Sequence, residues 1–236
     1  MYDEKHSTLM KKYTVKLSQR IALVYLPPKL ASWRYERGSR SLVDNLAPKK
    51  DMIEENKQEI TKDDENEEQD DYKEGDVPEE IDQVVDILLD GLGDSNTSVR
   101  WSSAKGLGRI AQRLPYDFAN EIVFAVLELF SPIESDSTWN GACLAIAELS
   151  RNGLILPKKI KHVIPSIVKS LSYDYKKGNR NVGLHVRDSA CYVFWALSRA
   201  YNAGVMSSFS HFIACSLINT ALFDREISCR RFYFQF

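Results

Sequence analysis

The stretch Val99-Arg100-Trp101-Ser102-Ser103-Ala104-Lys105-Gly106-Leu107-Gly108-Arg109-Ile110 decides the fold. Its apolar or small residues at Val99, Ser103, Leu107 and Ile110 fall on one face of a helix. The same offsets return at Thr138, Ala142, Ile146 and Leu149, and again at Val186, Ala190, Phe194 and Leu197. The three anchors stand 39 and 48 residues apart. That is close to the period of roughly 40–47 residues of HEAT and armadillo helical hairpins. A helix pattern returning at this interval predicts stacked units, each burying its apolar face against its neighbours.

A second kind of helix alternates with the first. Ile81, Val84, Val85, Leu88 and Leu92 begin the series; Phe118, Ile122 and Val126 continue it; Ile160, Val163, Ile164 and Ile167 follow; Phe209, Phe212, Ile213 and Leu217 close it. Each set has the i, i+3, i+4, i+7 rhythm of a buried stripe. Asp94, Asp136 and Asp224 precede the helices of the first kind, in positions suited to capping. No segment alternates with period 2, so essentially no sheet is expected. Residues 78–236 therefore read as an all-α, HEAT/armadillo-type helical-repeat solenoid whose last unit is incomplete.

The third unit carries extra length between Tyr173 and His185, and Tyr175-Lys176-Lys177-Gly178-Asn179-Arg180-Asn181 reads as an exposed basic insertion. Insertions in solenoids gather on one face, often the binding face. Ahead of the repeats, residues 51–77 are dominated by Glu54-Glu55, Asp63-Asp64-Glu65, Glu67-Glu68 and Asp70-Asp71. Such charge with few apolar groups predicts an acidic disordered linker. It lacks the turn glycine and closing glutamate of a calcium loop. Residues 1–50 hold a helical run from Leu9 to about Leu26, a Pro27-Pro28 break and an aromatic segment around Trp33 and Tyr35. They read as the end of a preceding helical repeat.

Composition narrows the function. The chain has 236 residues, 44% hydrophobic and 27% charged, with a formal net charge of -2. Near-neutrality gives no field for nucleic acid or an anionic membrane. The start, Met1-Tyr2-Asp3-Glu4-Lys5-His6, lacks a signal-peptide core. The longest apolar run noted, Ile122 to Phe130, is too short to span a bilayer and contains Glu128. A cytoplasmic protein without membrane insertion is expected, with its four separated cysteines as buried thiols. The Asn96-Thr97-Ser98 sequon is then coincidental.

Catalytic and cofactor motifs are wanting. Gly106-Leu107-Gly108-Arg109-Ile110-Ala111 fits a relaxed G-x-G-x-x-A fingerprint, yet it lies inside a helix and not at the strand-to-helix turn that a pyrophosphate requires. There is no phosphate-binding P-loop and no G-x-S-x-G elbow. The four histidines have no partners at metal-ligand spacing. We expect neither an enzyme nor a cofactor.

Two charged sets are candidates for contact. Arg100, Arg187 and Arg230 each follow an apolar residue at the head of a helix. They could line a groove as a ladder, but pairing with the turn aspartates Asp94 and Asp224 is favoured, because guanidinium suits bidentate carboxylate contact. Lys158, Lys159, Lys161, Lys176, Lys177 and Arg180 crowd one unit. They read either as solvated lysines or as a docking patch for an acidic partner.

Several phrases carry a family resemblance: Val77-Pro78-Glu79-Glu80, Val99-Arg100-Trp101-Ser102-Ser103-Ala104-Lys105-Gly106, Trp139-Asn140-Gly141-Ala142-Cys143-Leu144-Ala145-Ile146, Val186-Arg187-Asp188-Ser189-Ala190-Cys191 and Phe223-Asp224-Arg225-Glu226-Ile227. They resemble the N-terminal HEAT region of the tubulin-folding cofactor D family, and Ser32-Trp33-Arg34-Tyr35 resembles the segment before that family's acidic linker. Family members are much longer, so the chain would be an N-terminal portion. It departs from the family at Phe232-Tyr233-Phe234-Gln235-Phe236, where small helix residues are usual. The resemblance implies β-tubulin binding, cooperation with cofactors C and E and a small Arf-like GTPase, and α/β-tubulin heterodimer assembly in microtubule biogenesis. It further implies GTPase activation only within the cofactor complex, with no arginine finger assignable here, and a cytoplasmic, cytoskeleton-associated location. The other reading of the same repeats is a generic HEAT adaptor for a different complex.

Overall fold

The computed structural model describes residues 2–27, 77–178, 180–227 and 229–230. Eight helices occur among them: α1 (Tyr2–Tyr25), α2 (Glu80–Leu92), α3 (Thr97–Ala111), α4 (Tyr116–Glu128), α5 (Asp136–Arg151), α6 (Pro157–Leu171), α7 (Leu184–Ala200) and α8 (Ala203–Phe223). The chain has the all-α repeat architecture that the periodicity predicts. The whole 28–50 segment, residues 51–76 of the acidic run and the aromatic 232–236 end lie outside the described residues.

Local chemistry sets the helix starts. Asn96 accepts from the Ser98 N–H and Ser135 from the Thr138 N–H, so these residues cap α3 and α5. The expectation of aspartate caps is thereby corrected. Asp136 is already the first residue of α5. Asp94 and Asp224 instead accept the N–H two residues on, from Asn96 at 2.7 Å and Glu226 at 2.8 Å, which tightens the turns. Pro157 opens α6, where a missing N–H costs nothing.

Helices α1, α3, α5 and α7 pack side by side as an inner row, while α2, α4 and α6 cover its other side. The N-terminal helix is thus part of the same stack. Val15, Gln19 and Ala22 bury against it, and Arg113 donates to the Leu23 and Leu26 carbonyls at 2.7 and 3.2 Å, closing the end of α1. The centre of the row is α5, whose residues Thr138 through Ser150 are all buried. Each large apolar side chain it removes from water contributes about 1.5–3 kcal/mol. Its close approach to α2 depends on Gly141, where an added Cβ would fall on the Leu92 carbonyl oxygen. Tyr201 ties α7 back to the loop before α6: its hydroxyl donates to the Ile155 carbonyl at 2.6 Å and accepts from the Ile155 N–H at 3.2 Å.

Two expectations fail. The insertion is a small antiparallel hairpin, β1 (Tyr175–Lys177) with β2 (Arg180–Val182). Three-residue strands are too short to show period 2 in sequence. The second failure is α8. It spans 21 residues with no charged side chain and is apolar and long enough, by length and composition alone, to cross a membrane. Only Ile213 is fully buried; Met206, Phe209 and Leu217 pack partly against the core, while Phe212 stays 52% exposed instead of joining the buried face.

Candidate partner-binding surface

Of the turn pairs expected from sequence, one forms as a carboxylate fork. Arg187 Nε and Nη2 donate to the two Asp224 oxygens at 2.7 and 3.1 Å, and Nη1 donates to the Tyr173 carbonyl at 2.9 Å. Burial would lower the Arg187 pKa, but the Asp224 carboxylate holds it above its ordinary value. One guanidinium therefore fixes the base of the hairpin and the turn after α8. Gly183, at φ 150, starts α7 there; an added Cβ would meet the Tyr173 carbonyl oxygen.

Arg100 behaves otherwise, which corrects the expected pairing with the Asp94 carboxylate. It donates to the carbonyls of Asp94 (2.7 Å) and Ser95 (3.0 Å), to Thr97 Oγ1 (2.9 Å), and across the repeat to Asn140 Oδ1 (2.8 Å). Asn140 passes the link on, its amide donating to the His185 carbonyl at 2.8 Å. The Asp94 carboxylate is taken by Lys11 of α1 at 2.8 Å. Sequence reasoning missed Asn140 because Trp139 occupies the arginine position in that unit; its indole N–H donates to the Ser131 carbonyl at 2.9 Å. The Arg230 N–H closes on the Glu226 carbonyl at 3.2 Å as the next helix begins. The side-chain contacts of Arg100 and Arg187 join unit to unit, whereas the Arg230 contact is a backbone bond within its own turn.

The basic cluster separates into two groups. Lys158, Lys159 and Lys161 sit in the first turns of α6, whereas Lys176, Lys177 and Arg180 follow its C-terminus. At 1.5 Å per residue the helix holds them about 20 Å apart. Lys159 is placed over the Phe124 ring, 4.3 Å from its centroid. In the hairpin, the register pairs Lys177 with Arg180 and Lys176 with Asn181. Positions 177 and 180 share one face and 176 the other. Asn181 donates to Asp174 at 3.4 Å, and Arg225 pairs with the same carboxylate at 2.9 Å, so the base of the hairpin is anchored.

A third surface had no signal in any single helix. On α3 the solvent-facing stripe is Trp101, Lys105 and Arg109; on α7 it is Asp188, Tyr192, Trp195 and Arg199. Trp101 and Tyr192 rings meet at 5.5 Å, although α5 lies between their helices, and Tyr192 stacks on Trp195 at 5.5 Å and 18°. The flanking helices therefore converge over α5, making this the concave side. Beneath, the Tyr192 hydroxyl donates to Glu148 at 3.2 Å and accepts from Arg151 at 3.0 Å, and Arg151 bridges Glu148 at 3.2 Å. Burial, followed by the Glu148 charge, raises the Tyr192 pKa.

No group of three or more His, Cys, Asp or Glu side chains able to hold a metal occurs among the described residues. Burial pushes the Cys143 thiol up to about 12, a neutral and unreactive group at ordinary pH. The glycines of the fingerprint-like segment lie within α3 and receive Leu88 and Gln19 at Gly106, and Asn152 and Glu148 at Gly108. They are packing positions.

Comparison with known proteins accords with this arrangement. The family model for tubulin-specific chaperone D-like ARM repeats matches residues 9–233. The chain is 39% identical over 230 residues to the tubulin-specific chaperone D of Dictyostelium discoideum, covering 94% of this chain and 15% of that protein. It is 36% identical over 165 residues to the tubulin-folding cofactor D of Schizosaccharomyces pombe, covering 64% of this chain and 15% of that one. The chain thus spans about 15% of the length of these curated relatives.

Proposed function

The chain belongs to the tubulin-specific chaperone D-like ARM-repeat family, and from that membership we propose that it serves tubulin folding as a repeat segment that holds β-tubulin. The single observation that carries this reading is the extent of the match, which runs from α1 through the repeats to residue 233, over the same helices that pack as one continuous row. A row fixed by buried interhelical contacts supplies a rigid surface for another macromolecule. The relatives are named as a chaperone and a folding cofactor, in keeping with a role in binding and not in turnover.

In this reading the hairpin 175–182 contributes basic contacts to acidic tubulin, which steer and register the encounter. Assembly of the α/β heterodimer, work alongside cofactors C and E and an Arf-like GTPase, and GTPase activation belong to the larger complex, in the cytoplasm. The test is capture of β-tubulin by the purified 236-residue chain, with circular dichroism on the same sample. Helical signal with capture supports the proposal. Helical signal without capture removes tubulin binding from this segment and favours an adaptor of another kind.

A further inference from the structure

The concave face has a composition that the tubulin reading does not require and that interhelical contacts account for only at Arg109, whose Nη1 donates to Gln19 Oε1 of α1 at 3.4 Å. Along α3 there is no acidic residue, and its exposed stripe is Trp101, Lys105 and Arg109. Each of α3, α5 and α7 ends in a basic last turn, with Arg109, Arg151 and Arg199 respectively. Cations there suit the helix dipole, but the three helices lie side by side, so the arginines also form a row across the groove. Glu148 is engaged by Arg151 and Tyr192, and Asp188 stands some three turns away near the start of α7, beside His185. The arginine end of the groove is left positive.

Spacing selects the shape of a ligand. Packed helices repeat at about 8–10 Å, and three residues of polyproline II chain, one full turn with every third side chain on the same side, cover about 9 Å. A polyproline II segment crossing the row would set carboxylates at every third position opposite successive helices, where Arg109 and Arg199 can make charge-assisted contacts on either side of Arg151, which Glu148 and Tyr192 hold. The aromatic groups select its class. Tyr192 and Trp195 stack on one another, Lys105 lies 5.1 Å from the centre of the Trp101 ring and Arg199 5.4 Å from that of Trp195. Ring faces used in this way are not open to the bases of a single-stranded nucleic acid, whereas ring edges and rims suit peptide backbone.

We infer that the concave face framed by Trp101, Lys105, Arg109, Tyr192, Trp195 and Arg199 docks an extended acidic peptide segment. The inference stands on this face alone, so it survives or fails independently of tubulin binding.

The test uses the full chain and a fluorescein-labelled (Glu-Gly-Gly)4 peptide, read by anisotropy, with (Gln-Gly-Gly)4 as its neutral counterpart. The acidic peptide is expected to bind with a strong salt dependence and the neutral one at least tenfold more weakly. R109E/R199E should weaken binding tenfold or more with unchanged helical content and melting, and R109K/R199K should restore most of it. Equal binding of both peptides, or an R109E/R199E chain that binds as before, overturns the proposal. So does tighter binding of oligothymidylate than of the acidic peptide, which would make the face a nucleic-acid site. Binding that appears only after the carboxylates of residues 54–71 are neutralised assigns the face to the chain's own acidic run and overturns docking in trans.

Discussion

Arg187 and Asp224 form a nearly enclosed fork, with side-chain exposures of 8% and 2%, between the start of α7 and the turn after α8. Two buried charges of opposite sign are costly to bring out of water, and what makes the pair tolerable is that each is fully bonded. Arg187 also reaches Tyr173, and Asp224 also accepts the Glu226 N–H. Arg187→Met leaves a buried carboxylate without its partner and is expected to cost about 3–5 kcal/mol. The double variant R187M/D224L should recover most of that loss. Urea unfolding of the two variants checks it: a double variant no more stable than R187M would mean that the loss does not come from the stranded Asp224 carboxylate.

Cysteine accessibility offers a second check on the packing. Cys143, Cys191 and Cys229 are buried and Cys215 is exposed on α8. Burial holds the Cys143 and Cys229 thiols up at about 12, with the Asp224 charge adding to the latter. The Cys191 thiol donates to the Arg187 carbonyl at 2.9 Å. Labelling of the native chain at mildly alkaline pH should modify Cys215 rapidly and the other three only on unfolding. Rapid modification of Cys229 would show that the Arg187–Asp224 corner opens.

The repeat itself was legible because burial writes its period directly into residue choice. Val99, Leu107 and Ile110 face the core and must be apolar or small whatever their partners. The concave face was not legible. Trp101, Lys105 and Arg109 look like an ordinary solvated stripe until α7 is laid beside α3 across α5, and that proximity comes from pairing helices ninety residues apart in sequence. The basic cluster shows the opposite relation between sequence and space. Its lysines are near in sequence, but α6 lies between the two groups and a helix separates its ends in proportion to its length. Arg100 was misassigned because a guanidinium has five donors, and carbonyls nearer than the Asp94 carboxylate satisfied them.

Acid titration bears on the junction of α1 with the first repeat. Burial raises the Asp94 pKa, but the Lys11 ammonium at 2.8 Å and the Asn96 N–H at 2.7 Å outweigh it and hold the carboxyl below its ordinary value. The unfolded chain then takes up this proton first as pH falls. The contribution to stability is present above the ordinary carboxylate value of about 3.9 and is lost as pH drops through the lower native value. Lys11→Met should reduce the acid-side loss, measured as the difference in unfolding free energy between about pH 6 and about pH 3. Lys11 is half exposed, so raised salt should reduce its effect in the same direction.

Charge reversal distinguishes the two basic groups, since about 20 Å of helix separates them. K176E/K177E/R180E alters a hairpin whose base is anchored through Asp174, Arg225 and Arg187. The fold should persist, and capture of β-tubulin should weaken by roughly tenfold, chiefly through slower association, because peripheral charges act on encounter more than on residence. K158E/K159E/K161E places acids in the first turns of α6, where the helix dipole favours them. Its melting temperature should hold or rise, less whatever is lost from the Lys159–Phe124 contact. If only the hairpin triple weakens capture, the tubulin contact lies at the C-terminal end of α6. If both do, the partner must span the length of that helix. If neither does, these lysines are solvated surface and the tubulin contact lies elsewhere in the protein.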